Sequence, residues 1–267
     1  MDTRPIGVFD SGLGGLTTVK RLIELLPEED IIYLGDTGRV PYGSRSRETI
    51  IKYARQDAAF LAAFDIKAMV IACNTVCSTA FDVLDAVYDM PVFEVVTAPA
   101  NAAVHQTKNG KVGVIGTTAT IKSGAYETAL RKAAPEALVY TAACPVFVPL
   151  VEDGIVSYGD ISSIAERYLG RLRAAGIDTL IMGCTHYPLL RGVISEVMGA
   201  GVSLIDSGAE TAKLVAEDLR TGDMLSQSGT AGEVSYFVTD TAEGFSNLAS
   251  LFMESDVHGM VKQIVLE

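Results

Sequence analysis

Tryptophan is missing from this 267-residue sequence, and Tyr and Phe leave aromatics at only 7%. A core must therefore come from Ala, Val, Ile and Leu, in a chain that is 49% hydrophobic. A chain this long buries well over half of its surface, which excludes disorder and any collagen-like fold. Cationic residues are in the minority: 21 Lys and Arg face 33 Asp and Glu, for a net charge of −12. With no long Lys/Arg run, that balance repels phosphates, and no nucleic-acid partner is expected. Cysteine is scarce as well. Cys73, Cys77, Cys144 and Cys184 are too few and too scattered for a disulfide framework. No apolar run reaches about 18 residues, so no membrane span is expected. The opening Met1-Asp2-Thr3-Arg4-Pro5 lacks the basic and apolar regions of a signal peptide. These absences predict a cytoplasmic protein with reduced thiols, of one large or two modest domains.

What is present is a repeated alternation of short apolar runs, small-residue turns and helical stretches. Runs lie at 6–9, 31–34, 68–71, 92–93, 112–115, 138–140, 180–182 and 202–205. Continuous apolar runs rich in β-branched residues suit strands buried on both faces of a parallel sheet. Between them Ile50, Ala54, Ala58 and Leu61 recur at helical spacing, as do Ile161, Ile164, Ala165, Tyr168, Leu169 and Leu172. The alternation predicts an α/β fold with mainly parallel sheets.

The pattern also repeats at long range. Ile6-Gly7-Val8-Phe9 aligns with Val112-Gly113-Val114-Ile115 at an offset of 106, and Ile32-Tyr33 with Val139-Tyr140 at 107. Val70-Ile71-Ala72-Cys73-Asn74-Thr75 aligns with Ile181-Met182-Gly183-Cys184-Thr185-His186 at 111, and Val92-Phe93-Glu94 with Leu204-Ile205-Asp206 at 112. Such a period is too long for a solenoid and indicates duplication. Two pseudo-symmetric α/β domains are predicted, facing each other across an interdomain site. Beyond Asp206, a helix over 210–219, strands within 234–238 and 257–265, and a helix near 247–253 are expected. This tail is read as returning to the first half. The expected division is 1–95 plus 207–267 for the first domain and 96–206 for the second.

Duplication makes Cys73 and Cys184 one position seen twice, each at a strand end where α/β sheets bind ligands. Taken singly, a free cysteine is more readily a buried small hydrophobe. As a pair with polar neighbours, Asn74-Thr75 and Thr185-His186, they point to chemistry. A thiol near a helix N-terminus has its thiolate favoured, and His186 is placed to handle protons at Cys184. Cys77 and Cys144 read as packing, and the spacing of the four completes no metal site. His105 and His258 have no partner motif and read as ordinary surface or capping residues. Asp10-Ser11-Gly12-Leu13-Gly14-Gly15 is either an anion-binding turn or a tight turn kept for geometry. It fails the dinucleotide fingerprint because Thr17 stands where a third Gly is needed. The Gly35–Ser44 loop is a candidate ligand wall. Thr117-Thr118-Ala119-Thr120 offers hydroxyls for a carboxylate or a helix N-cap. Glu152 and Asp153 are either acid/base auxiliaries or solvated loop carboxylates.

Asp10-Ser11-Gly12, Pro41-Tyr42-Gly43-Ser44, Cys73-Asn74-Thr75, Pro149-Leu150-Val151-Glu152 and Gly183-Cys184-Thr185-His186-Tyr187-Pro188 together resemble the glutamate racemase family, over about residues 5–265. The resemblance implies cofactor-independent interconversion of L- and D-glutamate, supplying D-glutamate for peptidoglycan. It implies that Cys73 takes the α-proton from D-glutamate and Cys184 from L-glutamate, with Asp10, His186 and Glu152 assisting. It implies that substrate is held by Asp10, Ser11, Tyr42, Gly43, Asn74, Thr75, Thr118, Thr185 and His186. No metal and no cofactor are expected, and a homodimer is implied. No long N-terminal extension precedes the first strand, so control by a cell-wall precursor, which some members carry there, is not expected. The rivals are a sister aspartate racemase acting on a shorter substrate, a silent amino-acid-binding module, and a protein-partner role of the kind the resemblance implies in members that inhibit DNA gyrase.

Overall fold

The computed structural model describes residues 2–255, 257 and 260–266; His258 lies outside the described residues. The first half runs β1 (Ile6–Asp10), α1 (Leu16–Leu25), β2 (Ile31–Gly35), α2 (Arg47–Ala62), β3 (Ala68–Ile71), α3 (Asn74–Asp85) and β4 (Val92–Glu94). After α4 (Thr97–Gln106) come β5 (Lys111–Gly116), α5 (Thr118–Ser123), α6 (Ala125–Ala133), β6 (Leu138–Ala143), α7 (Phe147–Glu152) and α8 (Tyr158–Ala174). The rest is β7 (Thr179–Gly183), α9 (Arg191–Met198), β8 (Ser203–Asp206), α10 (Ser207–Thr221), β9 (Val234–Val238), α11 (Ala242–Met253) and β10 (Val261–Gln263). All eight apolar runs are strands. The two predicted helical stripes fall in α2 and α8, with Ile50, Ala54, Ala58, Leu61, Ile161, Ala165, Leu169 and Leu172 buried.

Two sheets result, ordered β10-β9-β2-β1-β3-β4 and β6-β5-β7-β8, and every strand pairing is parallel. The four-strand order β2-β1-β3-β4 is repeated as β6-β5-β7-β8, the topological form of the duplication seen in the sequence. The central β1 and β7 are buried along their whole length, whereas β6 at its sheet edge is only half-covered. Gly7 and Gly113 show the repeat at atomic scale. A Cβ on Gly7 would lie 2.6 Å from Ile66 Cδ1, and one on Gly113 would lie 2.3 Å from Ile177 Cδ1. In each half an isoleucine closes over a strand glycine, and both pairs occupy matching places.

Each half also ends alike, in a strand whose terminal carboxylate starts the next helix. Glu94 accepts from the Val96 and Thr97 N–H groups at the start of α4, the latter at 2.7 Å. Asp206 is the N-cap of α10 and accepts from the Ala209 N–H at 3.1 Å. Free N–H groups at a helix start are satisfied this way, and the negative charge suits the helix dipole. The chain therefore crosses between sheets twice at capped, defined corners. The tail strands β9 and β10 extend the first sheet beyond β2.

Helix α10 lies against α1 without room for a side chain at Gly208. A Cβ there would stand 2.4 Å from Thr18 Oγ1 and 3.4 Å from Thr18 Cα. Gly208→Ala should therefore lower stability by about 1–3 kcal/mol through overpacking. In urea unfolding this appears as a lower midpoint at unchanged slope; a wild-type midpoint would show that α1 and α10 are free to part.

Candidate active site

A cavity of about 610 Å³ lies where the C-terminal ends of the two sheets meet. Its walls are the segments that follow successive strands. They are Ser11-Gly12 after β1, 40–44 after β2, Cys73-Asn74-Thr75 after β3, Thr117-Thr118 after β5, residues of 145–152 after β6, and Cys184-Thr185-His186 after β7. Parallel sheets put their loops at this edge and bind ligands there; here two such edges share one cavity. Both duplicated cysteines line it, and each is only 5% exposed.

On the first side, Cys73 is the N-cap residue of α3, as expected of a thiol at a helix start. Its Sγ donates to Ser11 Oγ at 3.4 Å. Burial, reinforced by the nearby Asp10 carboxylate, pushes this thiol up to about 12. Asp10 itself does not line the cavity. It is fully buried behind it, one oxygen accepting from the Gly12 N–H at 3.1 Å and the other without a hydrogen-bond partner. Burial raises its carboxyl, against the opposing pull of His186 and the Gly15 and Gly12 N–H groups. The Ser11-Gly12 turn is held from below by the Tyr33 hydroxyl, which donates to the Gly12 carbonyl at 2.7 Å.

The second side is built differently. No α-helix starts at Cys184; a single 3₁₀ turn, Tyr187–Leu190, separates it from α9. The helix start expected behind both cysteines is therefore present at Cys73 alone, and there burial overrides the thiolate preference it was expected to give. In its place stands a charged ring. His186 Nδ1 is 4.0 Å from Cys184 Sγ, and Nε2 is 3.0 Å from Glu152 Oε1. Burial opposes the imidazolium, but Cys184 and Glu152 outweigh it and push His186 up to about 10. Glu152 is the last residue of α7 and pairs with this ring, whereas Asp153 beside it is exposed. The ring also meets Phe252 of α11 edge-on, with centroids 5.6 Å apart.

The remaining walls carry donors. Thr75 and Thr117 hydroxyls meet at 3.0 Å across the cavity, and Thr117 is also the N-cap of α5, while Thr118 lines the space. Tyr42 lines the wall, but its hydroxyl points away, donating to Asp36 and to Asp57 Oδ2 at 3.1 Å. Tyr42 and Gly43 line the cavity at a one-turn helix, Tyr42–Ser44, whose first N–H groups have no partner within the turn. Behind them the Arg39 guanidinium binds Asp36 at 2.6 Å and Asp57 at 2.9 Å, and burial among these carboxylates raises Asp57 well above the usual range.

Every residue that the family resemblance implies for binding or proton transfer lines this cavity except Asp10, which sits one layer beneath; Asp153, the other carboxylate offered as an auxiliary, is not in the lining. Sequence reading missed the clasp of Asp36, Arg39 and Asp57, because charges on a loop and a helix carry no sign of meeting. It also missed Gly14. A Cβ there would stand 2.1 Å from Thr185 Oγ1 and 2.5 Å from His186 Nδ1, so the glycine is what lets the two halves touch. The apolar wall of Pro145 and Val148 had no motif to reveal it. Cys77, bonded to the Ile71 carbonyl and Val95 N–H, and Cys144 are buried outside the cavity; His105 is exposed in the last turn of α4.

A family model described as Asp/Glu/Hydantoin racemase matches residues 6–215. Glutamate racemase of Geobacter metallireducens is 47% identical over 267 residues, covering 100% of this chain and 98% of that protein. Among solved structures, a glutamate racemase isoform of Bacillus anthracis superposes with a TM-score of 0.95 at 36% identity, over 99% of this chain and 98% of the other. Glutamate racemase of Francisella tularensis in complex with D-glutamate gives 0.93 at 38% identity, over 100% and 99%.

The His186 geometry has a pH signature. Its folded value lies near 10 against an ordinary 6.5, so folding retains the proton. Its contribution to stability is complete below about pH 6.5 and is lost as pH rises through 10. Between pH 7 and 10 the urea midpoint should therefore fall more steeply in the unsubstituted protein than in His186→Asn. Equal slopes would mean that Cys184 and Glu152 do not hold the ring charged.

Proposed function

Because this chain belongs to the Asp/Glu/hydantoin racemase family, and within it to the glutamate racemases, we propose that Cys73 and Cys184 are its two proton-transfer groups. The observation that carries this reading is that both lie in the lining of one cavity, at equivalent strand ends of the two halves. Inverting an α-carbon removes a proton from one face and returns one to the other, so it needs an acid and a base on opposite sides. In the L-to-D direction the Cys184 thiolate takes the α-proton, leaving a carbanion, and the Cys73 thiol gives its proton to the opposite face. The sulfurs end with their protons exchanged, which is the starting state for the reverse reaction.

The surroundings fit these roles. Burial with Asp10 keeps Cys73 protonated, and His186 stands 4.0 Å from Cys184, placed to pass a proton to or from that sulfur. Asp10, His186 and Glu152 act as auxiliaries through the cysteines. The substrate's charged groups are held by Ser11, Asn74, Thr75, Thr118, Thr185 and the Tyr42-Gly43 backbone. Fixed N–H and hydroxyl donors around the α-carboxylate also offset part of the carbanion's charge. Residues 1–95 with 207–267, and residues 96–206, would be the two bodies that meet around the substrate. The D-glutamate formed would serve peptidoglycan synthesis in the cytoplasm, with a homodimer as the working unit.

Replacing either Cys73 or Cys184 with Ala should lower racemisation in both directions by ~10²–10⁴-fold, the usual weight of a general acid or base. Full activity in either variant would refute the two-thiol assignment. In deuterated water, product from either enantiomer should carry α-deuterium in its first turnover; complete retention of the original hydrogen would mean one base serving both faces. The same assay should prefer glutamate over aspartate by at least ~10-fold, the scale set by one methylene, and parity would point to the shorter substrate.

A further inference from the structure

We infer that Tyr126 is a positioning residue that sets the separation of the two thiols, an inference that rests on the two-thiol reading above. Tyr126 belongs to α6, on the side of the second sheet, and is 2% exposed. Its two ends touch the supports of different cysteines. A Cβ on Gly183 would lie 2.9 Å from its Cε2, so the ring is seated directly on the backbone of the residue before Cys184. At its far end, the hydroxyl lies 2.6 Å from Asn74 Oδ1, on the residue after Cys73, and 2.8 Å from the Val95 carbonyl. Asn74 in turn donates from Nδ2 to Ser207 Oγ at 3.3 Å.

Val95 and Ser207 mark the two places where the chain passes between the sheets, just beyond β4 and at the start of α10. One rigid ring therefore spans from the strand end that carries Cys184 to the helix start that carries Cys73. Its hydroxyl pins that span to the Val95 crossing directly, and to the Ser207 crossing both through Asn74 and by its own interaction with the Ser207 side chain. Tyr126 is not in the lining of the cavity; its effect passes through Asn74 and Gly183 to the sulfurs. Transfer across a carbon depends on both partners being in place, and a misplacement of about 1 Å costs on the order of 10²-fold.

Tyr126→Phe keeps the ring on Gly183 and removes the hydroxyl. Its kcat should fall ~10–100-fold in both directions if the spacing is loosened by a fraction of an ångström to 1 Å. A second readout separates positioning from mere loss of folded protein. In deuterated water, a carbanion facing a misplaced partner lives longer and is reprotonated more often by the thiol that formed it, and once that thiol has exchanged the abstracted hydrogen with solvent the atom it returns is deuterium. The ratio of deuterium in recovered substrate to deuterium in product should then rise, whereas partial unfolding lowers both alike and leaves the ratio unchanged. Ser207→Ala, which frees the Asn74 amide but keeps the Tyr126 hydroxyl on Asn74 and Val95, should raise the ratio in the same direction by less. A wild-type kcat or an unchanged ratio in Tyr126→Phe overturns the inference, and if that variant does not fold, an unchanged ratio in Ser207→Ala does so. Active Cys73→Ala and Cys184→Ala variants would instead remove the two-thiol reading itself. Inactive cysteine variants beside an unaltered Tyr126→Phe would remove only the role of Tyr126.

Discussion

The site depends on one close approach: the turn around Gly14 lies against Thr185 and His186 with no space for a single Cβ. The Thr17 hydroxyl closes the same seam, donating to the Thr185 carbonyl at 3.1 Å. Each half alone has only one strand-end cysteine facing open space. Pressing the β1 turn of one half onto the β7 turn of the other brings the two strand-end edges together and makes a shared cavity. Glycine is required there because any side chain would hold the halves apart, and the distance between thiols would change with it.

That contact joins halves that are equivalent in backbone but not in charge. Where β1 ends in Asp10, β5 ends in Gly116, so only the first half has a carboxylate beneath its cysteine. The second half instead sets His186 against Glu152. A carboxylate beneath one sulfur and an imidazolium beside the other give the two thiols unlike surroundings, which suits the acid and base roles proposed for them. The arrangement also meets the difficulty of an anionic protein binding an anionic amino acid. With a net charge of −12, the overall field repels the ligand. On the proposed two-thiol reading attraction is local, from His186 and from N–H and hydroxyl groups on loops that follow β1, β2, β3, β5 and β7.

Much of this was legible in the sequence because duplication left a readable trace. The paired apolar runs identified the strands, and their order predicted that 73 and 184 would be equivalent. The repeat was visible because strand cores such as Val8 and Val114 answer to the same packing demand in both halves. The differences between halves were harder to read, since they lie in contacts formed only on folding. Family resemblance put Tyr42 among the residues that hold substrate, but no local pattern showed that its hydroxyl is taken up by Asp36 and Asp57. The place of Tyr126 depends on an α6 residue meeting Asn74, 52 positions earlier, and no local pattern announces such a pair. Gly14 could be read as a turn residue, but its partner across the seam could not.

The central claim is that one α-carbon sits between two sulfurs supplied by the two halves. A crystal structure of this protein with D-glutamate bound tests it most directly. The account predicts Cys73 Sγ and Cys184 Sγ on opposite faces of the α-carbon, each close enough to exchange its proton. Both sulfurs on one face, or an α-carbon lying away from either, would contradict it.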